Sequence, residues 1–271
     1  MFVIRLLKKL KRFTKSQIDS ANRIQMSIRY LHSRPKSTFS GNYEPHLLVV
    51  KNEIYASLAK VCVESFLFFN PNSRVVVHVD SATKMASYDA LKKLISRDKV
   101  SIVQLDSDSL PWQDLKLDLI LSLGDPKKFF MDADLKWNGP MKELVGITFF
   151  VNEFEFRENT FYAPLTNKDW FSEYPSSTMK NTSFFYWGSY SPSTEDKKNI
   201  EVLMGLLKKC TNDQSNQIDF NVSTKRISEQ IALSLLVEKL GAPVYFLKEL
   251  DIFKDGSFVE SSYFGITGAS F

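Results

Sequence analysis

The chain has 271 residues, 44% of them hydrophobic and 22 of them Phe, a composition that excludes a disordered polar chain and allows a large buried core. Its formal net charge is only +4, and much of the excess lies before residue 40, in Arg5, Lys8, Lys9, Lys11, Arg12, Lys15, Arg23, Arg29, Arg34 and Lys36. The remainder is close to neutral, which leaves no broad basic face for nucleic acid. The two cysteines, Cys62 and Cys210, have no spacing for a metal site or a disulfide framework and fit a reducing, cytoplasmic compartment. No apolar run approaches the length of a membrane span, and the start at Met1 is too quickly charged for a secretory signal.

Residues 1 to 30 set Phe2, Ile4, Leu6, Leu7 and Leu10 against basic positions at helical spacing. Such a helix fits a solvated or domain-packing role first, and it also fits peripheral contact with an anionic membrane surface. A turn-rich stretch follows up to Tyr43, so residues 1–43 read as a basic helical N-terminal extension with its linker and 44–271 as the main domain. The run from His46 to Val50 predicts a strand, 55–69 a helix stopped by Asn70-Pro71-Asn72, 74–80 a second strand, 88–97 a helix and 100–105 a third strand. Strand, helix, strand, helix, strand is the pattern of a mainly parallel sheet flanked by helices, which binds ligands beyond the carboxyl ends of its strands.

A helix is predicted over 114–123, ended by Gly124-Asp125-Pro126. The apolar triplet Phe129-Phe130-Met131 then predicts a short buried strand running into Asp132-Ala133-Asp134, with Trp137-Asn138-Gly139-Pro140 as a turn beyond it. In an extended segment the two aspartates point to one side. Two hard oxygen ligands on one side suit Mn²⁺ or Mg²⁺, which complete their shells from water and phosphates.

In this placement the sequence resembles the GT-A glycosyltransferases, a Rossmann-like α/β class of nucleotide-sugar enzymes with a DxD motif. Phe130-Met131-Asp132-Ala133-Asp134 is similar to the family's Leu-Asp-Ala-Asp signature. Val49-Val50-Lys51-Asn52-Glu53-Ile54-Tyr55 looks like its first strand and loop, which implies that Asn52 and Tyr55 help to receive the base and ribose. Lys116-Leu117 resembles the family's lysine-bearing helix, with Lys116 approaching the nucleotide-sugar, and Asp132 contributes there too through metal or ribose. Asn181-Thr182-Ser183-Phe184-Phe185-Tyr186-Trp187 looks like the segment near the donor sugar, with Ser183 where a glycine is usual. Ser228-Glu229-Gln230 is similar to the start of the helix lining the acceptor side. The resemblance covers about residues 46 to 240.

It implies a metal-dependent transfer of a sugar from a nucleoside-diphosphate donor, UDP-linked by preference, to a hydroxyl of a glycan or lipid-linked acceptor. Asp132 and Asp134 are the metal ligands, and Glu229 and Asn181 stand at the reacting sugar. Glu229 serves as a base for the acceptor hydroxyl or as a stabiliser of a cationic sugar, while an acidic first-turn residue also complements a helix dipole. The chain departs from the metal-dependent retaining relatives in having no histidine near its end; its three are His32, His46 and His78, and Glu260, water or a backbone carbonyl is left to complete the shell. His78, inside a valine-rich strand, reads as an interior histidine. Trp170 and Tyr174 read as surface contacts for an acceptor sugar, amid aromatics that mostly fill the core. Two alternatives stand: a non-catalytic binding module of the same fold, and a sugar nucleotidyltransferase, which would want a glycine-rich triphosphate loop that 49–56 does not have.

Overall fold

A computed structural model describes residues 42–49, 53–80, 98–105, 111–137, 141, 143–144, 146–158, 162–174, 177–212, 228–247 and 259–261. These belong to one compact unit, Phe39–Phe271. The N-terminal extension up to residue 41, the helix expected over 88–97, and Asn52 in the expected nucleotide loop lie outside the described residues.

The first strand, β1 (Glu44–Val49), is buried at every position after Glu44, as a strand covered on both faces must be. Helix α1 (Glu53–Phe69) returns the chain to β2 (Val75–Asp80). It stops where Asn70 turns both its backbone N–H and its side-chain amide onto the Phe66 carbonyl and Pro71 follows. After β3 (Val100–Leu105) comes α2 (Trp112–Ser122), whose Gln113, Leu115, Lys116, Leu117, Leu119, Ile120 and Leu121 are all buried. A helix covered nearly all round sits inside a core and does not lie on its surface.

The chain then enters β4 (Lys128–Met131) and β5 (Leu135–Trp137). Next come β6 (Ile147–Glu155), α3 (Ala163–Thr166), a 3₁₀ turn over Asp169–Glu173, β7 (Thr178–Tyr186), α4 (Thr194–Asn212), α5 (Ser228–Leu240), β8 (Val244–Phe246) and β9 (Val259–Ser261). Among the described residues seven strands form one sheet in the order β3-β2-β1-β4-β7-β6-β8. All its pairings are parallel except the two made by β7. The mainly parallel, helix-flanked sheet expected from the sequence is the one found.

The order places a switch point between β1 and β4, because the chain builds outward from β1 through β2 and β3 and then returns to β1's other side. Crevices at the carboxyl ends of strands at such a point bind ligands. The core under it contains Phe129, Phe130, Phe149, Phe184, Phe185 and Trp187, each at most 1% exposed, and burying such a side chain is worth about 1.5–3 kcal/mol. The Trp187 indole N–H donates to the Ile120 carbonyl at 2.7 Å, tying the exit of β7 to α2. Gly188 follows with φ +69, where a Cβ would lie 2.7 Å from the Gly146 backbone; this close approach of two loops requires glycine.

Candidate active site

The segment after β4 is a turn, where the sequence pattern suggested extended chain. The Leu135 N–H closes onto the Asp132 carbonyl at 3.2 Å. The buried Ala133 stands between Asp132 and Asp134, which are both partly buried. The Asp132 N–H donates to the Ser183 carbonyl at 2.7 Å, one bond beyond the β4–β7 ladder of Phe130 with Phe185 and Met131 with Phe184. The antiparallel strand β7 therefore anchors the turn from one side.

Lys116 is the centre of the site's charge. The resemblance implied a lysine approaching the nucleotide-sugar, and the structure buries Lys116 to 4% exposure on α2. Its Nζ donates to both Asp132 oxygens, at 2.9 and 3.2 Å, and lies 3.8 Å from Glu229 Oε1 and 5.0 Å from the centre of the Phe130 ring. Burial alone would lower its pKa, but the charges of Asp132 and Glu229 and the hydrogen bond to Asp132 raise it above the ordinary lysine value. Lys116 stays charged and fixes Asp132.

Glu229 stands in the first turn of α5, as the sequence placed it, but its 2% exposure rules out a solvated carboxylate serving only the helix dipole. Every residue from Ser228 to Val237 is buried, so α5 is a central helix. Burial pushes the Glu229 carboxyl up to about 7 against the pull of Lys116, and its Oε2 has no hydrogen-bond partner among the described residues. Asp134 is pushed up to about 6, first by burial and then by the negative charge of Asp132. One ammonium thus faces three carboxylates.

Of the other expected residues, Tyr55 in the first turns of α1 is 38% exposed, and its hydroxyl pKa is raised by burial and by the charges of Asp134 and Asp132, which places it beside the turn. Asn181 is buried at 4%, and its Oδ1 accepts the Ser183 N–H at 2.8 Å, so it braces the residue whose carbonyl holds Asp132. Glu260 stands opposite Lys136 in the antiparallel β5–β9 pair, two residues along from Asp134. His78 is interior, with its Nε2 2.9 Å from Nδ1 of the stacked His46. Tyr174 is corrected: at 4% exposure it is core, packed edge-on to Phe171, because the 3₁₀ turn folds it inward. Trp170 is half-buried against the same cluster. Cys62 of α1 donates to the Asp132 carbonyl at 3.7 Å, a contact without a sequence signal, since only the packing of α1 on the turn brings the two together.

A partly buried carboxylate pair thus stands at the carboxyl end of β4, beside the switch point of a mainly parallel sheet flanked by helices. No protein-family model and no curated protein matches the chain. Among solved structures it is similar to the apo bifunctional glycosyltransferase WbbM, with 11% identity over 79% of this chain and 40% of that one and a TM-score of 0.47. It is also similar to the galactosyltransferase LgtC in complex with donor and acceptor sugar analogs, with 10% identity, 67% and 69% coverage and a TM-score of 0.42. A third is the apo form of the glycosyltransferase GlyE of Streptococcus pneumoniae TIGR4, with 9% identity, 70% and 44% coverage and a TM-score of 0.41. The chain spans less than half the length of WbbM. All three TM-scores are below 0.5.

The raised Glu229 pKa gives a stability signature. A carboxylate whose folded value of about 7 exceeds its ordinary 4.5 contributes stability that is full below pH 4.5 and lost as pH rises through 7. Glu229→Gln removes that dependence. Relative to the variant, the wild type is expected to lose about 3 kcal/mol between pH 4.5 and 7.5, at about 1.4 kcal/mol per pH unit. Urea unfolding of both proteins across that range checks it, and parallel pH profiles would mean that Glu229 holds no proton.

Proposed function

We propose that the chain is a glycosyltransferase that moves a sugar from a nucleoside-diphosphate donor, UDP-linked by preference, to a hydroxyl of a glycan or lipid-linked acceptor. The observation that carries this reading is the charge cluster of Lys116, Asp132, Asp134 and Glu229 at the switch point, in which the Asp134 and Glu229 carboxyl groups are pushed up to about 6 and about 7. Paired carboxyl groups pushed upward in a crevice at strand ends mark a site awaiting further positive charge.

A divalent cation fits that need. Among the described residues no group of three or more His, Cys, Asp or Glu side chains is placed to hold one, so Asp134 and Asp132 would hold it with water and donor phosphate oxygens, a set that suits Mn²⁺ or Mg²⁺. When bound, such an ion stabilises the negative charge that gathers on the leaving diphosphate. The chain's own residues do the rest. Lys116 fixes Asp132 through both oxygens, and β7 fixes its backbone through Ser183. Tyr55 borders the turn on the nucleotide side. Glu229, near neutrality in both its forms, is matched to accept the acceptor hydroxyl proton as the bond from the sugar to phosphate breaks and the bond to the acceptor oxygen forms.

The test is hydrolysis of UDP-, GDP- and ADP-sugars without acceptor, in Mn²⁺ and in EDTA. Release of nucleoside diphosphate from one donor in Mn²⁺ only is the expected result. No release from any donor, together with no nucleotide binding by calorimetry, would reduce the chain to a binding module.

A further inference from the structure

The Asp132–Asp134 turn is held on its α1 side by three side chains that no motif marks. The Cys62 thiol meets the Asp132 carbonyl at 3.7 Å, the Ser65 hydroxyl accepts the Trp137 N–H at 3.0 Å, and Asn70 Oδ1 accepts the Met141 N–H at 2.9 Å. These positions lie along one face of the helix and its cap, and they meet the chain at 132, 137 and 141 in the same order. The contact is buried between them: the Trp137 ring packs edge-on to Phe66 at 5.0 Å, and Trp137 is 3% exposed.

Ser65 is the joint of this rail. Its hydroxyl proton goes to the Cys62 carbonyl at 2.9 Å, which leaves the oxygen's lone pairs directed outward to take the Trp137 N–H. That N–H lies three residues from Asp134, at the far end of the short strand β5, whose other edge pairs with β9. Strand β5 is only three residues long, too short to fix its own register. A slip there would displace Leu135, whose N–H closes the turn onto the Asp132 carbonyl, and Asp134 with it.

We infer that Ser65 is a positioning residue for the donor site: by holding the Trp137 amide it sets the register of β5 and thereby the direction of the Asp134 carboxylate, an inference that rests on the metal-dependent reading above. Ser65 itself touches neither metal nor sugar. Outer groups that orient ligands typically govern metal affinity by about 10–100-fold.

The experiment titrates Mn²⁺ into the full chain in the presence of UDP, following the free-ion signal by electron paramagnetic resonance, for the wild type, Ser65→Ala and Ser65→Thr. Threonine keeps a hydroxyl that can reach the same helix carbonyl. Ser65→Ala is expected to weaken Mn²⁺ binding roughly tenfold, with the thermal transition lowered by only a few degrees and with faster hydrogen exchange at the Trp137 amide; Ser65→Thr restores all three. Unchanged Mn²⁺ affinity in Ser65→Ala, despite faster exchange at Trp137, would overturn the positioning role and leave the metal reading intact. Absence of Mn²⁺ binding in the wild type would instead remove the metal reading itself, and the role with it.

Discussion

Lys116→Met is expected to destabilise the protein by about 3–5 kcal/mol at pH 7.5, the usual result of taking one partner from a buried ion pair and leaving the other uncompensated. The lysine is 4% exposed and its removal leaves Asp132 and the 2%-exposed Glu229 facing each other with no cation between them. The loss should shrink in acid, because the buried Glu229 can then take a proton and its charge disappears. Urea unfolding at pH 7.5 and at pH 4.5 measures both limbs. Adding Glu229→Gln to Lys116→Met should recover part of the loss at pH 7.5, since the two side chains are in contact and their effects do not add. An equal loss at both pH values would mean that Lys116 contributes through its aliphatic packing on Phe130 and not through its charge.

Asp134→Asn should show the opposite pairing of effects. Donor turnover is expected to fall by about 10³-fold or more, since an amide is a poor substitute for an anionic oxygen ligand to a hard cation. Stability should hold or rise. Asp134 has its acid pushed from 3.8 to about 6, so as pH climbs through 6 the wild type loses up to about 3 kcal/mol that the neutral amide keeps. In metal-free buffer at pH 7.5 the variant should therefore unfold at higher urea than the wild type, and Mn²⁺ with UDP should narrow or reverse that gap by stabilising only the wild type. A variant that unfolds early in metal-free buffer would make the aspartate a structural residue.

Much of the sheet was legible because its strands are short apolar runs with turn residues at their ends. His46 to Val49, Val75 to Asp80, Val100 to Leu105 and Phe129 to Met131 are all found as strands near their expected bounds. The pair Asp132 and Asp134 was legible as carboxylates at a strand exit, and their turn geometry was not, because the Leu135 bond that closes it depends on where β5 is held. The burial of Lys116 was the larger surprise. Along α2 it is flanked by Leu115 and Leu117, which fits a helix surface as well as a core; only contact with Asp132 and Glu229, distant in sequence, justifies an ammonium there. Tyr174 misled for the converse reason, since its polar neighbours hid a ring folded under them. Ser65 falls with Cys62 and Phe66 on the inward face of the helix pattern, but nothing in that pattern marks its hydroxyl as the acceptor of the Trp137 N–H.

The pairing of β1 with β4 also bears on how the molecule acquires its site. Glu44 stands against Lys128 and His46 against Phe130, so these two edges close across a stretch of chain that includes β2, β3 and α2. Ordering a loop of that size precedes any reward from the contact, which makes such pairings slow relative to local helix formation. Asp132 and Asp134 follow β4 directly. In refolding from denaturant, helical signal should thus return ahead of nucleotide binding, and the delay between the two is the time the chain takes to close this seam.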